Sequence, residues 1–347
     1  MTLHVHRHVK SDGRELLLYG RSPFAGSPAP EKDLEREKSP HLRWHPLRRE
    51  WVVYAAARQG RTFLPLADEC PLCPTHGDVS GEVPFSDFEI AVFENRFPAL
   101  AGGASPVGPV PIGEEIEANG RCEVVIYSPD HTASLGTLSD ERLGLLVEVW
   151  GERIKALRGM GYPSIMPFEN RGEAIGVTLH HPHGQIYAFP FVPAQLFRSA
   201  EAQAAEPVVA TVMGMLDPAL KLHEDDVVMS FVPPFAMYPF EIWLAPRRRV
   251  ASPELLDTNE RAALARVLGD AVRRLDALFE SPMPYIMVVQ AAPEGFENTF
   301  HMTIEIRSFK RDKGKLKYLA GVEQGSGVFL VDVSPEEAAQ RLRDVLP

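Results

Sequence analysis

Three histidines and a glutamine stand close together in the run LHHPHGQIY of this chain. The Val, Thr, Ile, Tyr and Phe residues around the run favour extended backbone, so residues 176–190 are predicted to be mostly β-strand. Alternate side chains of a strand share a face, which would place His181, His183 and Gln185 together, although Pro182 and Gly184 could bend the strand and place it at an edge or a bulge. The small glycine between them would leave room for a bulky anion. Such a cluster predicts a functional site rather than a solvated polar face.

The chemistry that these residue types suit is transfer at phosphorus. A neutral imidazole is a good nucleophile near pH 7, and it also leaves readily from a phosphorus centre. One histidine of the run is therefore suited to double-displacement transfer of a nucleotidyl group. Gln185 could hydrogen-bond the phosphoryl oxygens throughout such a reaction, and nearby cations would offset their charge.

A second cluster begins at Cys70 and Cys73, which form a C-x-x-C pair. Such a pair in a reduced protein is a redox couple or half of a zinc site, and the flanking prolines favour a loop and hence zinc. His131, at the end of a predicted strand, and His181 would complete a Cys2His2 set. His76 is the second choice as a ligand. A closed site of this kind would be structural and would hold one zinc ion per chain.

The composition narrows the class of protein. The chain has 347 residues, of which 45% are hydrophobic and 24% charged, as in ordinary globular proteins. Its net charge of −11 argues against nucleic-acid binding, which selects basic surfaces. Three cysteines fit a reducing compartment. No apolar run suggests a signal peptide or a membrane span, so the prediction is a cytoplasmic protein with no membrane partner.

Both halves of the chain repeat one order of predicted elements: a strand, a long helix, a strand, a loop and a polar-faced strand. The helices are predicted over 139–157 and 253–279 from apolar residues at helical spacing. Superposing the polar-faced strands pairs His181 with His301, His183 with Thr303, and Gln185 with Glu305. The sequence therefore predicts an α+β fold with an internal duplication, in which the first copy alone keeps the reactive imidazole.

Two further segments carry basic residues. Arg58 and Arg61 flank a glycine at a strand end, and they are either a phosphate clamp or two solvated arginines. The C-terminal segment 315–323 is predicted to be strand-like, and its lysines are either surface charge or part of an anion site. A strand over 328–333 and a helix over 335–345 are predicted to follow, the helix being capped by its preceding serine.

Several motifs together resemble the galactose-1-phosphate uridylyltransferase family of the histidine-triad superfamily. They are Glu169-Asn170-Arg171-Gly172, His181-Pro182-His183-Gly184-Gln185, Arg58 with Arg61, Cys70-Pro71-Leu72-Cys73, Phe93-Glu94-Asn95, Ser128-Pro129-Asp130-His131, Pro239-Phe240-Glu241 and Lys317-Tyr318-Leu319-Ala320-Gly321. The likeness runs from about residue 40 to the C-terminus. It implies two fused histidine-triad-like units with antiparallel sheets and flanking helices, expected over 1–195 and 196–347, and a homodimer.

The resemblance also implies a reaction. His183 would attack the α-phosphorus of UDP-glucose and release glucose 1-phosphate, and galactose 1-phosphate would then take the uridylyl group. Implied substrate contacts are Arg58, Arg61, Asn95, Asn170, Thr178 and Gln185, together with Lys317, Tyr318 and Glu323 facing the hexose phosphate from the neighbouring subunit.

Two other functions stay open at this stage. A related nucleotidyl phosphorylase would use the same nucleophile on ADP- or GDP-sugars, with phosphate as the acceptor. A zinc-stabilised nucleotide-binding protein would show no turnover, but binding alone does not require the pair His183 and Gln185.

Overall fold

The computed structural model describes residues 2–31, 40–60, 64–75, 81–102, 114–279 and 281–345. Two residues named above, Arg61 and His76, lie outside these ranges. No helix in the described part of the chain is both long enough and apolar enough to cross a bilayer.

The first half of the described chain is mainly β-structure with one long helix. Its strands are β1 (His4–Val9), β2 (Glu15–Gly20), β3 (His41–His45), β4 (Glu50–Tyr54), β5 (Ile90–Glu94), β6 (Glu115–Glu117), β7 (Arg121–Ile126), β8 (Ser164–Arg171) and β9 (His183–Phe189), and its helix is α1 (Asp140–Gly159). Short 3-10 turns span Ala56–Gly60, Ala67–Glu69 and Glu173–Ile175.

The second half has more helix. Its elements are α2 (Ala194–Ala205), α3 (Val208–Met215), β10 (Lys221–Glu224), β11 (Val228–Phe231), β12 (Ile242–Pro246), α4 (Thr258–Ala277), β13 (Tyr285–Gln290), β14 (Thr303–Ser308), β15 (Lys310–Asp312), β16 (Lys315–Leu316), α5 (Gly321–Ser326) and α6 (Pro335–Asp344). Two 3-10 turns span Pro218–Leu220 and Pro253–Leu255.

One antiparallel sheet of eleven strands runs through both halves, in the order β1-β2-β5-β7-β9-β8-β13-β14-β12-β11-β10. The order is symmetric about the pairing of β8 with β13, because β5-β7-β9-β8 on one side corresponds to β11-β12-β14-β13 on the other. Helices α1 and α4 occupy equivalent places in the chain and pack against each other. This arrangement confirms the predicted α+β duplication, and it joins the two copies in a single sheet.

The main core lies between this sheet and the helices α1 and α4. It contains apolar side chains from both helices, such as Trp150 and Leu268, and strand residues such as Ile186 and Ile306. Both helix starts carry side-chain caps: the Ser139 hydroxyl accepts from the third residue of α1, and α4 begins with a full capping box. The candidate site lies on the opposite face of this sheet, along β9.

Local sequence preference gave the wrong structure in three places. The strand predicted over 176–190 begins only at His183, since Pro182 lacks an amide donor for a ladder and Gly176 has a φ of +81°. Segment 328–333 is irregular, and 315–323 is strand only at β16 before it enters α5. The predicted cap of α6 is correct, because the Ser334 hydroxyl accepts from the amide of Glu337.

Candidate active site and metal centre

Strand β9 carries the reactive motif on the face opposite α1 and α4. Burial alternates along the strand: His183, Gln185 and Tyr187 are half-buried, whereas the residues between them are fully buried. Gln185 lies opposite Phe168 of β8 and Val124 of β7. His181 precedes the strand, so the alternation from which its place beside His183 and Gln185 was predicted does not extend to it.

Gly184 makes room on the face of β9 opposite to the one predicted. It points towards the helices, where a Cβ would overlap the Tyr127 hydroxyl and come within 2.8 Å of the Phe168 carbonyl oxygen. Glycine is therefore required for close packing beneath the site rather than for space on the face of His183.

One backbone hydrogen bond fixes the chemistry of His183. Its Nδ1 lies 2.7 Å from the carbonyl oxygen of His181. A carbonyl oxygen only accepts, so Nδ1 carries the proton and Nε2 of the neutral ring keeps its lone pair. Burial lowers the pKa of His183 below its ordinary value. A neutral, oriented imidazole with an available Nε2 is what nucleophilic attack requires.

A cavity of about 520 Å³ adjoins His183 at the end of the sheet. Its lining includes Asn170 and Arg171 of β8, His131 and His180. Asn170 follows Phe168 by two residues on β8, and it therefore shares the sheet face of Gln185. Thr178 lies in the irregular segment before β9, where its carbonyl oxygen accepts from the Leu64 amide at 2.8 Å.

Arg58 and Asn95 both contact the backbone of Phe97. Nη1 of Arg58 lies 3.2 Å from the Phe97 carbonyl oxygen and 3.2 Å from the Tyr187 hydroxyl. The Asn95 side-chain oxygen accepts from the Phe97 amide at 2.8 Å. The fold thus ties both predicted substrate contacts to the loop after β5, and it ties Arg58 to the face that carries His183.

The three C-terminal candidates lie elsewhere in the chain. The Lys317 ammonium donates to the Glu323 carboxylate and to the Leu330 carbonyl oxygen. This contact with Lys317 lowers the pKa of Glu323 to about 2. The Tyr318 side chain is exposed. None of the three lines the cavity beside His183.

The four predicted metal ligands come together in space. The ligand atoms of Cys70, Cys73, His131 and His181 all lie within 4.8 Å of one another. The Cys73 sulfur is 3.4 Å from Nδ1 of each histidine. Nε2 of His181 donates to the Ser128 carbonyl oxygen at 2.8 Å, which leaves Nδ1 as the ligand atom. This cluster could hold a metal ion, and its donor set of two thiols and two imidazoles suits a closed tetrahedral site.

The second copy of the motif is built differently. His301 donates from Nε2 to the Pro246 carbonyl oxygen at 2.8 Å, as His181 does to Ser128. Thr303, the first residue of β14, stands where His183 begins β9. Residues of α2 and α3 line a cavity of about 130 Å³ together with Thr303 and Glu305, so helices lie over the face that corresponds to that of His183 and Gln185 in the first copy.

Two residues of the site region were missed by sequence reasoning. Tyr187 continues the alternation of His183 and Gln185, and that period could have identified it. Glu169, in the motif beside Asn170, is buried on the helix side of β8, and burial raises its pKa to about 7. Its burial could not be foreseen, because it depends on which face of β8 meets the helices.

Comparison with known proteins identifies the family of this chain. Residues 30–193 match the galactose-1-phosphate uridyl transferase N-terminal domain, and residues 218–347 match the C-terminal domain of the same family. The chain belongs to this family. Its relatives include galactose-1-phosphate uridylyltransferases of Thermotoga maritima (36% identity, covering 87% of this chain and 98% of the relative) and Streptomyces lividans (35%, covering 96% of each).

Solved structures resemble the fold as well. A structure described as a uridylyltransferase superimposes with a TM-score of 0.79 at 28% identity and covers 88% of this chain and 98% of its own. An ADP-glucose phosphorylase from Arabidopsis thaliana, with bound ADP-glucose, has a TM-score of 0.66 at 24% identity over 89% of this chain and 100% of its own. The second likeness concerns the fold alone.

Proposed function

We propose that this family member is a nucleotidyltransferase that moves a uridylyl group from UDP-glucose to galactose 1-phosphate through His183. Nε2 attacks the α-phosphorus, the bond from that phosphorus to the glucose 1-phosphate oxygen breaks, and a uridylyl-histidine forms. A phosphate oxygen of galactose 1-phosphate then attacks the same phosphorus, the N–P bond breaks, and UDP-galactose leaves. The observation that carries the proposal is the hydrogen bond from His183 Nδ1 to the His181 carbonyl.

The neighbours of His183 support both halves of this exchange. Gln185 lies two residues on, at the same sheet face, and is proposed to hydrogen-bond the phosphoryl oxygens. Arg58 supplies a guanidinium beside this face, which offsets the charge that builds up on the transferred group. We further propose that Asn95 holds the ribose and that Asn170 and Thr178 contact the phosphates. Arg61, outside the described residues, is proposed as a second cation.

The test is capture of the covalent intermediate. Wild-type protein incubated with UDP-glucose labelled at the α-phosphate should gain one acid-labile uridylyl group per chain, measured by intact mass and by retained label. His183→Gly should gain none. His223→Gly is the matched control, because His223 lies on β10 outside the cavity beside His183 and pairs with Asp225. An adduct with ADP-glucose but not with UDP-glucose would overturn the uridylyl assignment in favour of a nucleotide-sugar phosphorylase.

We propose that the metal cluster binds one structural Zn²⁺ per chain. Cys70, Cys73, His131 and His181 would hold the ion, which supplies only a rigid link between the C-x-x-C loop and the residues before β9. Metal analysis should find about one zinc per chain. Cys73→Ser should lose it, whereas Cys122→Ser, at a cysteine outside the cluster, should keep it. Equal zinc in both variants would refute the assignment.

We propose that the protein is a cytoplasmic homodimer of two-unit chains, with units at 1–195 and 196–347. Lys317, Tyr318 and Glu323 would then face the hexose phosphate bound to the neighbouring subunit, with the Lys317–Glu323 pair fixing the shape of this segment. Mixing inactive His183→Gly protein with Lys317→Ala protein should restore activity, because one site of the hybrid dimer is then intact. A mixture no more active than its components would place these residues in their own subunit's site or outside any site.

A further inference from the structure

Tyr187 stands on the nucleophile's face without a role in the proposed chemistry. It follows His183 by four residues on β9, and its ring packs edge-on against Phe168 at a centroid distance of 5.1 Å. Its hydroxyl lies 3.2 Å from Nη1 of Arg58. A guanidinium can only donate, so the phenol oxygen accepts this hydrogen bond.

Cys122 lies directly opposite Tyr187 in the pairing of β7 with β9. Tyr187 packs against the small buried cluster that contains Cys122, and the Cys122 sulfur accepts from the Leu100 amide at 3.4 Å. Because directly opposed residues of two antiparallel strands share a face, the Cys122 side chain lies beside that of Tyr187. Burial raises the pKa of Cys122 to about 11, so this sulfur is a neutral thiol that stays in place.

We propose that Tyr187, with Cys122 packed beside it, is a positioning residue that holds the Arg58 guanidinium for the phosphates of the nucleotide substrate, an inference that rests on the proposed function. Arg58 belongs to a short 3-10 turn, and an arginine side chain has many rotamers to lose on ordering. The Tyr187 oxygen and the Phe97 carbonyl fix its tip from two different elements. Because Tyr187 shares a strand with His183, the position of the cation is coupled to that of the nucleophile.

This coupling has a catalytic consequence. Charge stabilisation of a phosphoryl group depends on donors that are already aligned when the reaction begins. A guanidinium that must first be ordered by the substrate costs binding and transition-state stabilisation. The hydroxyl of Tyr187 is therefore expected to matter for turnover even though it does not contact the reacting atoms, whereas a contact that only stabilised the fold would alter the unfolding temperature alone.

The direct test is Tyr187→Phe in the full-length protein, with kcat and KM measured for UDP-glucose and the rate of uridylyl-adduct formation measured in a single turnover. Losing one hydrogen bond to a charged group should lower kcat/KM about tenfold. The unfolding temperature should stay within a few degrees of the wild-type value. Tyr238→Phe, which removes a phenol hydroxyl in the second half of the chain, where the ring packs against Phe309 and Phe329, is the matched control and should leave kcat/KM unchanged.

Two further variants separate positioning from a general packing defect. Tyr187→Phe should cause little additional loss in an Arg58→Lys background, because the two side chains act as one unit. Cys122→Ser keeps a side chain of similar size beside Tyr187 and should retain most activity, whereas Cys122→Ala leaves a space there and should reproduce part of the loss seen in Tyr187→Phe.

The inference would be overturned if kcat/KM is unchanged in Tyr187→Phe, or if the losses of the two single variants simply multiply in the double variant. In either case the wild-type protein still forms the adduct, so the proposed function would stand. A wild-type chain that forms no nucleotidyl adduct would overturn the proposed function, and this inference with it.

Discussion

The carboxyl group of Glu169 is expected to make the protein less stable as the pH rises from 5 to 8. Its side chain is buried on the helix side of β8, with 4% exposure, and its one polar contact among the described side chains is the Tyr285 hydroxyl at 3.2 Å. Burial raises its pKa from an ordinary value of 4.5 to about 7, and the Arg171 charge opposes this only in part. The folded protein therefore holds a proton that the unfolded chain releases.

The sign and size of the change in stability follow from the difference between the folded and unfolded pKa values of Glu169. Below pH 4.5 the carboxyl is protonated in both states and costs nothing. Between pH 4.5 and pH 7 the unfolded chain releases the proton while the folded protein retains it, so the unfolding free energy falls as the pH rises. With pKa values of 4.5 and about 7, the loss between pH 5 and pH 8 is about 2.5 kcal/mol. Above the folded pKa the loss levels off.

Glu169→Gln tests this directly. The glutamine keeps the shape of the side chain and an oxygen acceptor for the Tyr285 hydroxyl, but it cannot titrate. The stability of Glu169→Gln relative to the wild type should rise by about 2.5 kcal/mol between pH 5 and pH 8. Urea unfolding at four pH values in this range, followed by circular dichroism at constant ionic strength, measures it. Both proteins carry the same Cys2His2 cluster, so any pH dependence of metal binding there cancels in the difference.

Glu201→Gln, at an exposed position of α2, is the matched control for this experiment. The stability of Glu201→Gln relative to the wild type should show no such rise between pH 5 and pH 8. A Glu169→Gln difference that is constant between pH 5 and pH 8, or that shrinks as the pH rises, would refute the argument that Glu169 is a buried acid with a raised pKa.

Other substitutions probe the packing beneath the site and the helix that completes the core. Gly184→Ala should lower the unfolding free energy by about 1–3 kcal/mol through overpacking against Tyr127, and it should slow adduct formation. Adding Tyr127→Phe should recover part of the lost stability, since the Tyr127 hydroxyl has no hydrogen-bond partner among the described residues. Equal stabilities of the single and double variants would contradict this, as judged by urea midpoints. Asp257→Ala should lower the unfolding free energy by about 1 kcal/mol through loss of the α4 capping box, and an unchanged midpoint would show that α4 does not need its cap. Glu123→Ala should cost about 3–5 kcal/mol, because it leaves the buried Arg153 guanidinium without its bidentate partner at 2.8 and 2.9 Å; a loss below 1 kcal/mol would indicate that water or other groups replace it.

Much of the architecture followed from local patterns. Apolar spacing predicted both long helices, and the repeated order of elements predicted the duplication that the sheet order confirms. The strand over 176–190 was predicted too long, because side-chain preference does not register that Pro182 and Gly176 interrupt a ladder. Segment 328–333 has the composition of a strand, but no neighbouring strand pairs with it in the described chain. Strand propensity is expressed only where a partner strand is available.

The sequence by itself determined which chemistry is possible here: an imidazole two residues before an amide on one strand face, and four soft ligands that gather into one cluster. Only the tertiary structure decided how those groups act. The His181 carbonyl selects the tautomer of His183, and the Tyr127 hydroxyl leaves no room for a side chain at position 184. The pairing of β7 with β9 places Cys122 opposite Tyr187. Each of these depends on a contact that the fold of the backbone creates. The types of the side chains alone do not specify which residues the fold brings into contact.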